Sequence, residues 1–303
     1  MQVNELITKQ DHTPVLLAEA LEMLQPQDNK VYIDATFGAG GYTKAILNKA
    51  NCTVIAIDCD SNAQKYAEAI GEKFRNKFHF VNDNFINIDE ILKNLNINSV
   101  DGIVFDLGVS SMQLDNKERG FSFSGNGPLD MRMDNRLTTT AEKLVNELYE
   151  KELADLIYNY GGERKSRSIA KNIVQFRQRE RILTTAKLVE AMNPNARSYQ
   201  DNIHFATRTF QALRIMVNNE LETLKLTLRK LPQLLGPQAT MAIVTFHSLE
   251  DKIVKDFFKE ISQDSSGNLF ERINKKVVTP NYQEIRKNPR ARSAKLRGVR
   301  RVL

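Results

Sequence analysis

Residues 31–41 read Val-Tyr-Ile-Asp-Ala-Thr-Phe-Gly-Ala-Gly-Gly, and residues 54–58 read Val-Ile-Ala-Ile-Asp. The pattern is a buried strand, a glycine-rich turn, a helix and a second buried strand ending in a carboxylate. α/β proteins build adenosine sites in this way. Gly38, Gly40 and Gly41 let the main chain turn sharply and approach a ligand, and Asp58 stands where it can accept both ribose hydroxyls. The glycine spacing departs from a dinucleotide fingerprint, because Thr43 occupies the third glycine position. Asp34, just before the turn, suits a cationic ligand such as a methionine ammonium better than a pyrophosphate. The electrostatics therefore favour S-adenosylmethionine over a nicotinamide dinucleotide, with a purely structural glycine turn as the competing reading.

Working outward, β-branched apolar runs recur at 31–33, 54–57, 78–81, 102–105 and 241–246. Helix-period segments at 42–49, 61–70 and 88–95 separate the first four. Strands alternating with helices predict a mostly parallel, doubly wound sheet. The rhythm breaks after Asp106, and further helices are expected at 141–158, 166–178, 185–192, 207–218 and 220–231. The expected division is a sheet domain from 1–115 and 216–303, with a helical insertion at 116–215 after the fourth strand. The partial alternation of residues 294–302 predicts a last strand at the sheet edge.

The chain has 303 residues, enough for a full core, and no run of 18 apolar residues that would span a membrane. Residues 1–10 include Glu5 and no apolar stretch, so no signal peptide is expected. Cys52 and Cys59 flank the second strand and are poorly placed to bridge each other. A reduced, cytoplasmic protein follows. Eight of the 43 basic residues fall within 286–301 with no acid among them, leaving 35 basic against 37 acidic elsewhere. A second basic cluster (Arg164, Lys165, Arg167, Lys171, Arg177, Arg179, Arg181) lies in the insertion. Two positive patches on a near-neutral body point to a polyanion, nucleic acid first, although solvated charged faces look the same in a sequence.

The expected carboxyl ends of the strands carry the chemistry. Asp106, Gly108, Ser110 and Ser111 follow the fourth strand and should face the cleft of Gly40 and Asp58. Phe85, after the third strand, could flank an adenine or simply join the core. Gln113 is either a ligand contact or a solvated loop residue. His247 follows the fifth strand, at the edge of the cleft, where it could touch a phosphate or a base. The next residues read as a helix start with Ser248 as cap and Asp251 three positions on. The four histidines show no metal-ligand spacing, so no metal site is expected.

Eight blocks, in order, resemble one family. They begin at His12-Thr-Pro-Val-Leu-Leu17, Asp34-Ala-Thr-Phe-Gly-Ala-Gly-Gly41, Asp106-Leu-Gly-Val-Ser-Ser111 and Glu118-Arg-Gly-Phe-Ser-Phe123. They continue with Gly127-Pro-Leu-Asp-Met-Arg-Met-Asp134, Ala206-Thr-Arg-Thr-Phe-Gln-Ala-Leu-Arg214, Phe246-His-Ser-Leu-Glu-Asp251 and Asn288-Pro-Arg-Ala-Arg-Ser293. The family is the bacterial ribosomal small subunit methyltransferase H family, the 16S rRNA cytosine-N4 methyltransferases. The resemblance implies a class I (Rossmann-like) S-adenosylmethionine methyltransferase fold, with a helical insertion that recognises substrate. It implies cofactor contacts at Gly40, Gly41, Tyr42, Asp58, Phe85, Asp106 and Gln113. It also implies methylation of a decoding-centre cytosine in 16S ribosomal RNA of the small subunit. Family members commonly have histidine where this chain has Tyr42, and arginine where it has Lys252.

Cytosine-C5 methylation needs a cysteine nucleophile, and neither cysteine stands at the expected centre, so transfer to an amine fits better. Asp106 is the candidate catalytic carboxylate, and His247, Arg290, Arg292 and Arg297 are the candidate RNA contacts. Other classes also accommodate these features. A non-catalytic RNA-binding or ribosome-assembly protein and a nicotinamide-dependent oxidoreductase are two. A DNA amino-methyltransferase would carry a Pro-Pro-aromatic block where Asp106-Leu-Gly-Val stands. Oligomeric state, a homodimer included, is left open.

Overall fold

The computed structural model describes residues 14–192, 204–263 and 269–303. The readings at residues 1–10 and at His12 and Thr13 lie outside the described residues. Contacts divide the chain into two compact units, one of residues 1–108 and 223–303, the other of residues 109–222.

The first unit is a seven-stranded sheet in the order β3-β2-β1-β4-β5-β7-β6. Its strands are β1 (Val31–Asp34), β2 (Thr53–Ile57), β3 (Phe78–Val81), β4 (Val100–Asp106), β5 (Leu235–Thr245), β6 (Phe270–Arg272) and β7 (Lys295–Arg301). The first five run parallel, while β7 is antiparallel to both β5 and β6. This is the doubly wound class I methyltransferase topology, as expected.

Side chains alternate across a strand, and here the alternation separates two cores. Val54, Ala56, Val104, Ala242 and Val244 face one layer, with Ala20, Met23, Ile46 and Ile70 from α1 (Leu17–Leu24), α2 (Gly41–Lys49) and α3 (Gln64–Lys73). Ile55, Ile57, Ile103, Phe105, Met241 and Ile243 face the other. They pack on Ile91 of α4 (Ile88–Asn94), and on Leu228 and Phe258 of the later helices α11 (Glu220–Leu234) and α12 (Ser248–Ile261). From β1 and β3, Tyr32 and Phe78 add bulk to the first layer. Buried on both faces, the strands read as unbroken apolar runs.

The second unit holds α5 (Ser111–Asp115), α6 (Ala141–Glu147), α7 (Glu150–Gly161), α8 (Ser166–Arg177), α9 (Thr185–Met192) and α10 (Ala206–Val217) around its own core. Two expectations need correction. The helix predicted at 141–158 breaks at Leu148 and Tyr149, both extended. The Arg177 guanidinium donates to the carbonyls of Val145 (2.8 Å) and Leu148 (2.7 Å), satisfying groups a helix end leaves orphaned. The tail strand is also no edge, since the three-residue β6 lies outside it. α13 (Tyr282–Lys287) and a 3-10 turn at Pro289–Ser293 precede β7.

Ion pairs take several residues of the expected basic patches. Arg167 pairs with Asp155 at 2.7 Å, and Arg181 with Glu142 at 2.7 Å. In the tail, Asp251 receives Arg297 Nε at 2.7 Å and Lys295 Nζ at 3.0 Å, tying α12 to β7. Among the described residues no helix is long and apolar enough to cross a membrane.

Burial raises the Asp251 carboxyl, but the hydrogen bonds from Arg297 and Lys295 outweigh it and hold the group below the ordinary carboxylate range. A depressed folded pKa adds stability that is present above the unfolded value, about 4, and fades as pH falls through the folded one. Asp251→Asn should therefore cost about 2 kcal/mol at neutral pH and progressively less below pH 4, as urea melts across that range will measure.

Candidate active site

Asp34, Asp58 and Asp106 end or directly follow three adjacent parallel strands. The register pairs Asp34 with Ala56 and Val104, so Asp58 and Asp106 stand two residues further along on either side. Ligands in such sheets bind at the carboxyl ends where strand order reverses. Here the reversal falls between β1 and β4.

Each carboxylate has a local structural task. Asp34 Oδ2 accepts the Thr43 main-chain N–H (3.1 Å) and hydroxyl (2.7 Å), capping α2 from the strand beneath it. Asp58 Oδ2 accepts the Gly38 N–H at 2.6 Å and Oδ1 the Asp60 N–H at 2.8 Å, so the turn is stapled to β2. A carboxylate offers about four acceptor positions, which leaves Asp58 capacity for hydroxyl donors. The Asp106 main-chain N–H donates to the Thr36 hydroxyl at 2.6 Å.

What remains is more telling. Asp34 Oδ1 and Asp106 Oδ1 are buried with no hydrogen-bond partner. Burial pushes Asp34 up to about 6, against the hydrogen bonds from Thr43. Burial likewise lifts Asp58 to about 6, against the N–H groups of Asp60 and Gly38. Burial, followed by the charges of Asp34 and Glu250, lifts Asp106 to about 8. Orphaned, crowded carboxylate oxygens are costly by themselves and are relieved by a cation with N–H donors. An ammonium or sulfonium ligand fits this end of the sheet; a pyrophosphate does not.

The glycines turn out to answer to packing as well as to a ligand. Gly40, with φ of 78°, caps α2, and a Cβ there would come within 2.4 Å of Ile70 Cδ1. At Gly41 it would come within 2.2 Å of Pro14 Cγ. Tyr42 points into the core, where its hydroxyl donates to the Val15 carbonyl at 2.5 Å. Its side chain is committed to the fold, and only its backbone is available near the turn. Phe85 rests edge-on against Phe105, ring centres 5.5 Å apart, on a 3-10 turn capped by Asn84. A residue missed in the sequence holds this turn. Lys230 Nζ, on α11, donates to the Ile86 carbonyl and to Asp89 Oδ1, both at 2.7 Å.

Past β5, His247 rather than Ser248 caps α12, its Nδ1 accepting the Glu250 N–H at 3.3 Å. The imidazole offers an acceptor one residue earlier than the hydroxyl does. Glu250, buried and unremarked in the sequence, accepts the N–H of Phe246 (2.8 Å) and of His247 (3.2 Å). His247 Nε2 lies 3.1 Å from Glu250 Oε1 without hydrogen-bond alignment. The histidine is thus turned into the fold. Arg290 and Arg292 are exposed, whereas Arg297 pairs with Asp251 and its side chain is 17% exposed. Gln113 belongs to the second unit, where its amide oxygen accepts the Ser110 N–H (3.0 Å) in a capping box with the Ser110 hydroxyl. Neither cysteine is in a disulfide: Cys52 is buried before β2 and Cys59 stands next to Asp58.

The profile of the MraW methylase family matches residues 9–302. The protein named ribosomal RNA small subunit methyltransferase H in Ehrlichia canis (strain Jake) is 50% identical over 296 residues, covering 96% of this chain and 100% of that one. Its namesake in Wolbachia sp. subsp. Drosophila simulans (strain wRi) is 48% identical, with 96% and 99% covered. In Neorickettsia sennetsu (strain ATCC VR-367 / Miyayama) the corresponding figures are 46%, 96% and 96%.

A carboxyl with a raised folded pKa stabilises the fold fully below its unfolded value, and that contribution is lost as pH rises through the folded value. For Asp106 the window runs from about 4 to about 8. Without ligand, Asp106→Asn should melt at a higher temperature than the parent at pH 8 and lose less stability between pH 5 and 8. Thermal melts at both pH values will show whether it does.

Proposed function

The chain belongs to the MraW methylase family, and we propose that it methylates the exocyclic N4 amine of a decoding-centre cytosine in 16S ribosomal RNA. The methyl donor is S-adenosylmethionine and the setting the cytoplasm. The observation that carries the reading is the pair of buried, unpartnered carboxylate oxygens on Asp34 and Asp106 at the reversal point of the sheet.

When bound, S-adenosylmethionine supplies an electrophilic methyl group on a sulfonium. Asp58 would take its ribose hydroxyls, Phe85 would flank the adenine, and the backbone at Gly40, Gly41 and Tyr42 would line the methionine. Asp34, with its unpartnered Oδ1, would hold the ammonium. Asp106 either shares that task or accepts an N–H of the cytosine amine. That amine is a poor nucleophile because its lone pair is delocalised into the ring, and a carboxylate on its N–H favours the pyramidal, reactive form. Orientation of this kind supplies much of the rate in a displacement. A base inside folded RNA must be unstacked to reach such a pocket. Exposed cations of the tail, Arg290 and Arg292, and exposed Arg164, Lys171 and Arg179 of the helical unit would grip the flanking phosphates.

The choice of an amine over C5 is supported by the cysteines. Cys52 sits at the amino end of β2, away from Asp106, and Cys59 adjoins the ribose carboxylate Asp58. Cys52→Ser and Cys59→Ser should each keep methyl transfer within about threefold of the parent; loss of activity in either with cofactor affinity intact would point to C5 chemistry. Asp106→Asn should weaken S-adenosylmethionine binding or abolish transfer, and calorimetry beside single-turnover assays separates the two roles. The deciding experiment transfers labelled methyl to naked RNA, small subunits and whole ribosomes, then maps the modified nucleoside by nuclease digestion and mass spectrometry. Label at cytosine N4 supports the proposal, and label at another atom or none refutes it.

A further inference from the structure

Beside β5 there is a concavity, about 260 Å³ in volume, where two of the candidate RNA contacts named from the sequence, His247 and Arg292, meet. It is lined by Phe246, Ser248, Thr279, Arg292, Ser293 and Lys295, among others. Three chain segments meet here: the residues leaving β5, the strand-like stretch around Val278 that bridges to Leu296, and the 3-10 turn entering β7. None of these segments is sequence-adjacent to another, so the site exists only in the folded unit.

Its lining is rich in donors that the fold leaves over. Ser248, Thr279 and Ser293 are exposed, and their hydroxyls make no hydrogen bond among the described residues. Arg292 is exposed and has no carboxylate partner among the described residues. Lys295 is different: Asp251 engages it, so it contributes a neutralised pair rather than a free cation. One guanidinium with three hydroxyls is a donor set for a single phosphate group, since guanidinium forks match phosphate oxygens two at a time. Half-buried Phe246 gives the cavity an apolar wall. The volume lies below the roughly 300–1,000 Å³ of pockets for drug-sized ligands, which limits the occupant to about one nucleotide.

Position identifies the source of that nucleotide. Val244 pairs with Asp106 across the sheet, and Phe246 follows two residues later, so the cavity opens at the same end of the sheet as the candidate catalytic carboxylate. The exposed basic residues Arg286, Lys287 and Arg290 continue from its rim along the preceding turn. Resting on the RNA methylation reading above, we infer that this cavity is a nucleotide subsite for the substrate RNA strand, holding a residue next to the methylated base with its phosphate on Arg292, Ser248, Thr279 and Ser293.

Steady-state methyl transfer on the small subunit, with KM for RNA followed from low to high salt, tests this with the full chain. Arg292→Gln should raise KM about 3- to 10-fold and lower the slope of log affinity against log salt by about one. Its kcat at saturating RNA and its affinity for S-adenosylmethionine should stay within about twofold of the parent. Arg292→Lys should restore most of the salt slope but only part of the affinity, and a Ser293→Ala/Thr279→Val double variant should raise KM with the slope unchanged. Because all four side chains are exposed, thermal melts should match the parent. An unchanged KM and salt slope in Arg292→Gln would overturn the inference. So would a cavity that binds inorganic phosphate in an Arg292-dependent way while the RNA parameters stay put, which would make it a free-anion site. Filter binding of RNA without cofactor reads the same variants even if no methyl is transferred, so the subsite and the methylation reading fail separately.

Discussion

The bond from Thr43 to Asp34 is the constraint on which the rest of the sheet unit turns. One carboxylate oxygen takes both the main-chain and the hydroxyl proton of Thr43, fixing the start of α2 over the end of β1. That contact places Gly40 and Gly41 where Ile70, Phe37 and Pro14 leave no room for a side chain. It also holds the other oxygen of Asp34 in a buried place with nothing to receive. Asp58 repeats the logic from the next strand by binding Gly38. The carboxylates that shape the turn are therefore the ones that make it electrostatically hungry for a cation. A fold and a ligand preference come from the same atoms.

A cluster of this kind is tolerated because the sheet around it is deeply buried on both faces. Val54, Ala56, Val104 and Val244, with Tyr32 and Phe78, are covered by α1, α2 and α3, and Ile55, Ile103, Phe105 and Met241 by α4, α11 and α12. Polar cost concentrates at the strand ends, as is usual where function requires it. Lys230 and Glu250 extend the same scheme, each satisfying main-chain groups next to a strand end from a distant helix or from the helix just beginning.

Much of this fold was legible in the chain itself. Apolar β-branched runs separated by helix-period segments marked β1 to β5 and their helices, because burial on both faces writes itself directly into composition. The strand β6 was not legible, being three residues long with Glu271 and Arg272 exposed. Nor was the break at Leu148, since the group that stabilises it, Arg177, lies about thirty residues away in sequence. Hydroxyl caps are the common case and point to Ser248 at the start of α12, but His247 caps it with a ring nitrogen. Positive charge is where folding changes the reading most. Arg177, Arg181 and Arg297 all count as basic in a tally, yet main-chain carbonyls hold Arg177, Asp251 holds Arg297, and Arg181 pairs with Glu142 at the surface.

The amino-acid sequence alone determined the kind of fold, the order of its parts and the family, because these depend on local periodicity and on long ordered blocks of residues. Tertiary structure decided which charges are spent and which are free. It buried Tyr42 on Val15 and closed Arg297 onto Asp251. It left Arg292 open beside three unused hydroxyls and kept two carboxylate oxygens unpaired at the sheet's reversal point. The physical reason is distance. A side chain's ionisation, hydrogen bonding and exposure depend on neighbours that folding brings within a few ångströms from anywhere in the chain, and no local pattern records them.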